Sequence, residues 1–115
     1  CNLAAPHMVA AGGGNFIIVS SIGGNQGSSG VGVYGMSKAA DYALTRNLAV
    51  EWGAKNLRAN CIAPGLIRTD FSRAFWENEK LRKWAEARAP ARRIDSGSAI
   101  RLAASRALGV KFSMI

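Results

Sequence analysis

Residues 16–62 read FIIVSSIGGNQGSSGVGVYGMSKAADYALTRNLAVEWGAKNLRANCI, and the reading of this stretch decides the fold. Its opening run, Phe16 to Ser20, is short, continuously apolar and rich in β-branched side chains, which suits a buried parallel strand. Residues 33–53 read as one long helix. Met36, Ala39, Ala40, Ala43, Leu44 and Leu48 recur at steps of three and four, while Val50 and Trp52 fall off that stripe. The helix is therefore expected to be covered on more than one side. Gly53 stands where a C-cap is expected. Leu57 to Ile62 is the second strand, ended by Pro64-Gly65. Strand, long helix, strand is a βαβ unit with a right-handed crossover and parallel strands. Such units sit inside larger doubly wound α/β sheets. Two strands alone leave two unpaired edges, so the chain is expected to be a piece of something larger or to have its edges covered by partners.

Outward from this unit, residues 2–10, NLAAPHMVA, read as the end of a helix, broken by Gly12, Gly13 and Gly14. Residues 70–89 look helical and charged up to Pro90, and residues 98–108 suggest a short amphipathic helix. The chain opens on Cys1 inside helix-like sequence, which reads as a cut and not a natural start.

With 115 residues there is room for one domain. Hydrophobic residues make up 49% and charged residues 19%, as in a globular chain. No apolar run approaches the ~18 residues that span a bilayer, and no secretory signal is visible. Two cysteines without zinc spacing form neither a metal site nor a disulfide framework. A reducing, cytoplasmic compartment is the expectation. The formal net charge of +8 is uneven: residues 73–115 hold ten basic and four acidic side chains, residues 1–72 five and three. Such a block can mark nucleic acid or anionic membrane. It lacks the ordered basic-aromatic pattern of a nucleic-acid module, so a solvated helical face is the favoured reading.

The chemistry gathers around Tyr34-Gly35-Met36-Ser37-Lys38. Four residues apart on a helix, Tyr34 and Lys38 share a face. A free phenol is a poor base at neutral pH. An ammonium ~4 Å from a phenolate attracts it by roughly 4 kcal/mol at an effective dielectric of about 20. A phenol so placed can give a proton to a developing alkoxide or take one from an alcohol. Ser21 stands thirteen residues before Tyr34, at the carboxyl end of the first strand, and Pro64-Gly65 stands thirty residues after it, at the same end of the second. Ligands of open α/β sheets sit outside those ends. A serine hydroxyl there can hydrogen-bond a substrate oxygen as its charge develops. For Ser20 and Ser21 the competing reading is a pair of turn serines satisfying local backbone.

The runs IIVSSIGG, YGMSKAADYALTRNLAVEWG and RANCIAPGLIRTD together resemble the short-chain dehydrogenase/reductase family over roughly residues 1–94. The resemblance implies a fragment of a Rossmann-like sheet that interconverts a secondary alcohol and a ketone, 3-oxoacyl thioesters among the candidates, with NAD or NADP as cofactor. It implies Tyr34 as general acid/base, Ser21 orienting and polarising the carbonyl, and Lys38 bonding the nicotinamide ribose while easing ionisation of the phenol. It further implies that Pro64, Gly65, Ile67 (through its backbone) and Thr69 form the loop facing the nicotinamide carboxamide, that residues 70–90 close on substrate, and that helix 33–53 packs on its copy in a homo-oligomer.

The sequence departs from that pattern at both ends. No glycine-rich turn follows a first strand, and the Asn-Ala-Gly segment and the residue that selects NAD over NADP are absent. The cofactor-binding half and the last strand are thus expected to be missing, and the isolated chain is expected to be inactive. Residues 95–115, DSGSAIRLAASRALGVKFSMI, read as a divergent tail, with a frameshift, a truncated gene or an incomplete gene model as the hypothesis. Gly30-x-Gly32-x-x-Gly35 matches the dinucleotide pattern in letters, but about ten loop residues separate it from the strand, whereas a true fingerprint follows its strand at once. His7 and Asn60 read as structural. Trp76 and Trp84, eight apart, read as one helical stripe serving packing or a substrate pocket. The competing functions are a non-catalytic oligomerising remnant and a basic module for nucleic acid or membrane.

Overall fold

The computed structural model describes residues 1–88. In order they form α1 (Ala5–Ala10), β1 (Gly14–Val19), α2 (Gly32–Trp52), β2 (Leu57–Ile62), α3 (Arg73–Glu77) and α4 (Glu79–Arg88). Two short 3₁₀ turns, Ile22–Gly24 and Gly53–Lys55, follow β1 and α2. The strands pair in parallel from Gly14 opposite Leu57 to Val19 opposite Ile62. The α/β architecture expected from the sequence is therefore present. The segment 98–108, the 94/95 boundary and the tail 95–115 lie outside the described residues.

β1 and β2 owe their pairing to runs of apolar residues over a helix. Leu48 of α2 and Leu57 of β2 are buried together with Ala5 of α1. Burying one such leucine is worth roughly 1.5–3 kcal/mol. The core is small, and β1 is half-buried along Gly14–Ile18 and exposed at Val19. The expectation of strands buried on both faces is thus not met among the described residues. Each strand has a partner on one side only, so its faces and outer edge are incompletely covered.

Helix α2 buries only part of the apolar stripe read in the sequence: Leu48 is buried and Ala43 half-buried. Its fully buried residues are Thr45 and Leu48, three apart, with Asp41 and Tyr42 half-buried one turn earlier. Met36 (73% exposed) and Leu44 (40%) of the expected stripe point outward, as do Val33 (82%) and Val50 (85%). Apolar residues lie around most of this helix, so periodicity alone could not choose the inner face. Thr45 enters the core because its Oγ1 donates to the Asp41 carbonyl at 2.8 Å, which satisfies the hydroxyl.

The end of α2 also differs from expectation. Gly53 occupies the C-cap position but stays right-handed (φ −59°, ψ −40°). The chain continues through a 3₁₀ turn, and Asn56 takes the left-handed conformation, φ 60°. Asparagine tolerates that region because its short side chain bonds locally. Here Asn56 Nδ2 donates to the Gly12 carbonyl at 2.7 Å, and Gly14 N–H donates to the Asn56 carbonyl at 3.1 Å. Gly13 must be glycine at this junction. Its φ is 124°, and a Cβ there would lie 2.5 Å from Asn56 Nδ2.

Within the charged segment expected to be helical over 70–89, the described residues form two helices, Arg73–Glu77 and Glu79–Arg88. Asn78 is extended (φ −80°, ψ 112°) and separates α3 from α4. Trp76 and Trp84 therefore lie on two helices, not on one stripe as expected. The basic residues pair locally: Arg73 with Asp70 and Glu77, Arg82 with Glu86, Lys83 with Glu79. Such exposed pairs contribute about 0.3–0.5 kcal/mol each. No described helix is long and apolar enough to cross a membrane.

Candidate active site

The carboxyl ends of β1 and β2 carry the chemistry-bearing residues. The parallel ladder runs past both strands: Ser20 N–H donates to the Ile62 carbonyl at 2.8 Å and Ile22 N–H to the Pro64 carbonyl at 3.0 Å. The loop after β1 and the loop after β2 thus leave the sheet side by side. Gly65 lies against the same turn, since a Cβ on it would sit 3.7 Å from Ile22 Cδ1.

Adjacent serines do different work here. Ser20 is buried, and its Oγ donates to the Lys38 carbonyl at 2.7 Å, tying the strand end to α2. Ser21 caps the 3₁₀ turn, and its Oγ accepts the Gly23 N–H at 3.1 Å. A hydroxyl that accepts from backbone keeps its own hydrogen to donate. The local-backbone reading of the two serines therefore holds in part, and it leaves Ser21 with the polarity a carbonyl oxygen needs.

Tyr34 and Ser21 converge over Gly23. A Cβ on Gly23 would lie 3.3 Å from Tyr34 Cε1 and 3.4 Å from Ser21 Oγ. The ring and the hydroxyl therefore border one small space above this glycine. Lys38 lies one turn along α2. Its Nζ is 6.0 Å from the centre of the Tyr34 ring, and it donates to the Val19 carbonyl at 3.3 Å and to Asp41 Oδ2 at 3.2 Å. An ammonium has three hydrogens, so one remains beyond these two partners. A groove of about 400 Å³ runs beside the site, lined by residues 23–28 and the first turns of α2. Tyr34 is not among the residues that line it.

The loop after β2 divides in two. Pro64 and Gly65 touch the Ser21 turn, as described. Ile67 and Thr69 gather instead around Ser72: its Oγ donates to the Ile67 carbonyl and accepts the Thr69 N–H at 3.1 Å. Trp76 Nε1 closes this loop on the Thr69 carbonyl at 2.9 Å, and Arg68 lies 4.6 Å above the Trp76 ring. The segment returns to the trio through Phe71, whose ring centre lies 6.3 Å from that of Tyr34.

Sequence reasoning missed Phe71, Asp41 and Tyr42. Tyr42 Oη donates to the Ser21 carbonyl at 2.8 Å. The signal was available in its spacing, four residues after Lys38 and eight after Tyr34 on the same helix. Asp41 carried the weaker three-residue spacing, and Phe71 follows Thr69-Asp70 with no period to mark it.

A parallel βαβ unit thus carries a serine, a tyrosine and a lysine at its carboxyl edge. Residues 1–107 match a family model described as Enoyl-(Acyl carrier protein) reductase. The chain is 51% identical over 74 residues to Dehydrogenase/reductase SDR family member 4 of Oryctolagus cuniculus, covering 64% of this chain and 28% of that protein. Its fold superposes on a short-chain type dehydrogenase/reductase from Mycobacterium ulcerans with a TM-score of 0.81 at 35% identity, over 93% of this chain and 39% of that one. It likewise matches a gluconate 5-dehydrogenase from Burkholderia cenocepacia, solved with NADP and tartrate, with a TM-score of 0.79 at 31% identity over 90% and 44% of the two chains. The chain belongs to the short-chain dehydrogenase/reductase family. It spans about a quarter to a third of the length of the curated relatives named first among its matches.

Proposed function

We propose that this chain carries the proton-transfer site of an NAD(P)-dependent oxidoreductase that interconverts a secondary alcohol and a ketone. The observation that carries this reading is the convergence of Ser21 Oγ and Tyr34 on the space above Gly23. Ser21, loaded as an acceptor by Gly23 N–H, donates its hydrogen to the substrate oxygen and holds the carbonyl toward Tyr34. The Tyr34 hydroxyl gives its proton to that oxygen in reduction and takes it back in oxidation. Lys38 places its ammonium beside the ring, 6.0 Å from the ring centre.

The donor set fits the nicotinamide-ribose end of such a cofactor. Lys38 has a third ammonium hydrogen for a ribose hydroxyl, and Pro64-Gly65 lines the neighbouring loop. Ile67 and Thr69 are assigned to the carboxamide side by resemblance, and the Ile67 carbonyl retains a second lone pair beyond its Ser72 partner. When bound, the nicotinamide supplies or accepts the hydride. Among the described residues no glycine-rich turn joins a strand directly to a helix, so the donors for a pyrophosphate are not among them. The turnover of the 115-residue chain by itself is accordingly proposed to be absent or slight. A cytoplasmic setting is proposed on the free thiols of Cys1 and Cys61.

The outward apolar face of α2 supports a second property, self-association. Val33, Met36, Ala40 and Leu44 lie on one side of the helix and are exposed. We propose that a second copy of the chain packs there.

Calorimetric titration of a full-length version, one that includes the cofactor-binding half, with NADPH and with NADH, followed by its turnover of a panel of secondary alcohols, tests the catalytic reading. Binding with turnover that disappears in Tyr34→Phe supports it. Retained turnover in Tyr34→Phe rules out the acid/base role. No binding of either cofactor leaves the oligomerising remnant as the reading to keep.

A further inference from the structure

We propose that Tyr42 is a positioning residue for Ser21, a role that rests on the reading of Ser21 as the donor to the substrate oxygen. The Ser21 turn is only three residues long. Short 3₁₀ turns have poor hydrogen-bond geometry, and this one stands at the surface end of a half-buried strand. Something outside the turn has to fix it.

Tyr42 supplies that tie. Its Oη donates to the Ser21 carbonyl at 2.8 Å. The same carbonyl accepts the Gly24 N–H at 3.0 Å, so both of its lone pairs are used. One bond closes the turn, and the other anchors it to α2, the helix that also carries Tyr34 and Lys38. The ring is seated closely as well: a Cβ on Gly24 would lie 2.7 Å from Tyr42 Cε2. Tyr42 and Tyr34 thereby share one rigid helix, and the distance from Ser21 to Tyr34 is set through eight residues of α2 instead of through the glycine-rich loop. Catalytic groups must be held to within ~0.5 Å, and a misplacement of ~1 Å can cost about a hundredfold in rate.

The test is Tyr42→Phe, which keeps the ring and removes only the hydroxyl. Two readouts are taken: kcat and KM, and amide hydrogen exchange at Gly23 and Gly24 by NMR. Thr45→Val is the control, because it removes another hydroxyl of the inner face of α2 without touching the turn. The expected result in Tyr42→Phe is a kcat lower by roughly tenfold to a hundredfold with faster exchange at both glycines and KM for cofactor unchanged, whereas Thr45→Val keeps the wild-type kcat, KM and exchange. Either readout matching wild type, or both variants behaving alike, overturns the proposal. The kinetics are read in a full-length version that includes the cofactor-binding half; if that version itself does not turn over, it is the catalytic reading that fails. The exchange measurement then decides the Tyr42 tie alone, and unchanged exchange overturns it.

Discussion

Gly24 packs so closely on Lys38 that a Cβ at position 24 would lie 2.7 Å from the Lys38 carbonyl carbon. That atom is helix backbone and cannot swing aside as a side chain can. The turn that presents Ser21 and the helix that presents Tyr34 are thus in contact because residue 24 has no side chain. Gly24→Ala is expected to destabilise the fold by about 1–3 kcal/mol through overpacking. Gly27→Ala, in the same loop, meets nothing within 4 Å and is expected to change stability by less than about 0.5 kcal/mol. Urea denaturation of the two variants measures the difference. Equal midpoints would show that the turn and the helix are not in the contact described.

Ser20 and Ser21 are neighbours with opposite duties, and single alanine substitutions separate them. Ser20→Ala removes the Oγ bond to the Lys38 carbonyl and is expected to lower stability by about 1 kcal/mol, with a small effect on turnover. Ser21→Ala removes the hydroxyl proposed to bond the substrate oxygen and is expected to lower kcat of the full-length version by roughly a hundred- to a thousandfold; it also removes the cap on Gly23 N–H, a stability loss of about 1 kcal/mol. Denaturation curves and steady-state rates on both variants check the pair. A reversal of the two rate effects would transfer the substrate-facing role from Ser21 to Ser20.

Asn56 combines an unusual backbone conformation with a side-chain bond, and two variants apportion them. Asn56→Gly keeps the left-handed φ of 60° easily but loses the bond to the Gly12 carbonyl, and a loss of about 1 kcal/mol is expected. Asn56→Ala loses the same bond and, unlike glycine, keeps a Cβ in the left-handed region without asparagine's local bonding, which costs about 1–2 kcal/mol more than the glycine variant. Thermal melts should therefore rank wild type above Asn56→Gly, and Asn56→Gly above Asn56→Ala. An alanine variant as stable as the glycine variant would mean that the left-handed conformation carries no strain at this junction.

The sequence was most legible where the signal is local. Leu57–Ile62 is a strand with the bounds read from its letters, and the helix begins one residue before the expected Val33. Ser21, Tyr34 and Lys38 could be placed on one edge because a βαβ unit puts both strand ends there. Features set by contact between distant residues were not legible. The inner face of α2 includes Thr45, a polar residue whose hydroxyl is satisfied within its own helix, so the apolar stripe matched that face only in part. The tie from Tyr42 to the Ser21 carbonyl spans 21 positions and uses a backbone acceptor, which leaves no mark in composition. Glycine spacing held one decoy, excluded by its distance from the strand: Gly30, Gly32 and Gly35 imitate a phosphate loop, while the glycines with packing neighbours at the site are Gly23 and Gly24, with Gly35 3.0 Å (as a Cβ) from the Gly23 carbonyl.

The outward stripe of α2 gives the last prediction. Val33, Met36 and Leu44 make no use of the sheet for burial, and each apolar side chain of this size gains roughly 1.5–3 kcal/mol when removed from water. A partner helix would bury several at once, whereas lysine at such a position would face an apolar partner unpaired. The double variant Val33→Lys/Met36→Lys is therefore expected to weaken self-association by about a thousandfold, equivalent to roughly 4 kcal/mol. Its thermal stability as a monomer should stay close to that of wild type, since neither side chain supports the core. Leu48→Ala is the opposite case: Leu48 is fully buried against the sheet, and its truncation should cost about 2–5 kcal/mol of folding stability. Sedimentation velocity across a concentration series reads the first effect, and denaturation reads the second. A wild type that sediments as a monomer at every concentration would remove the proposed partner from this face and leave the stripe to be covered by other means.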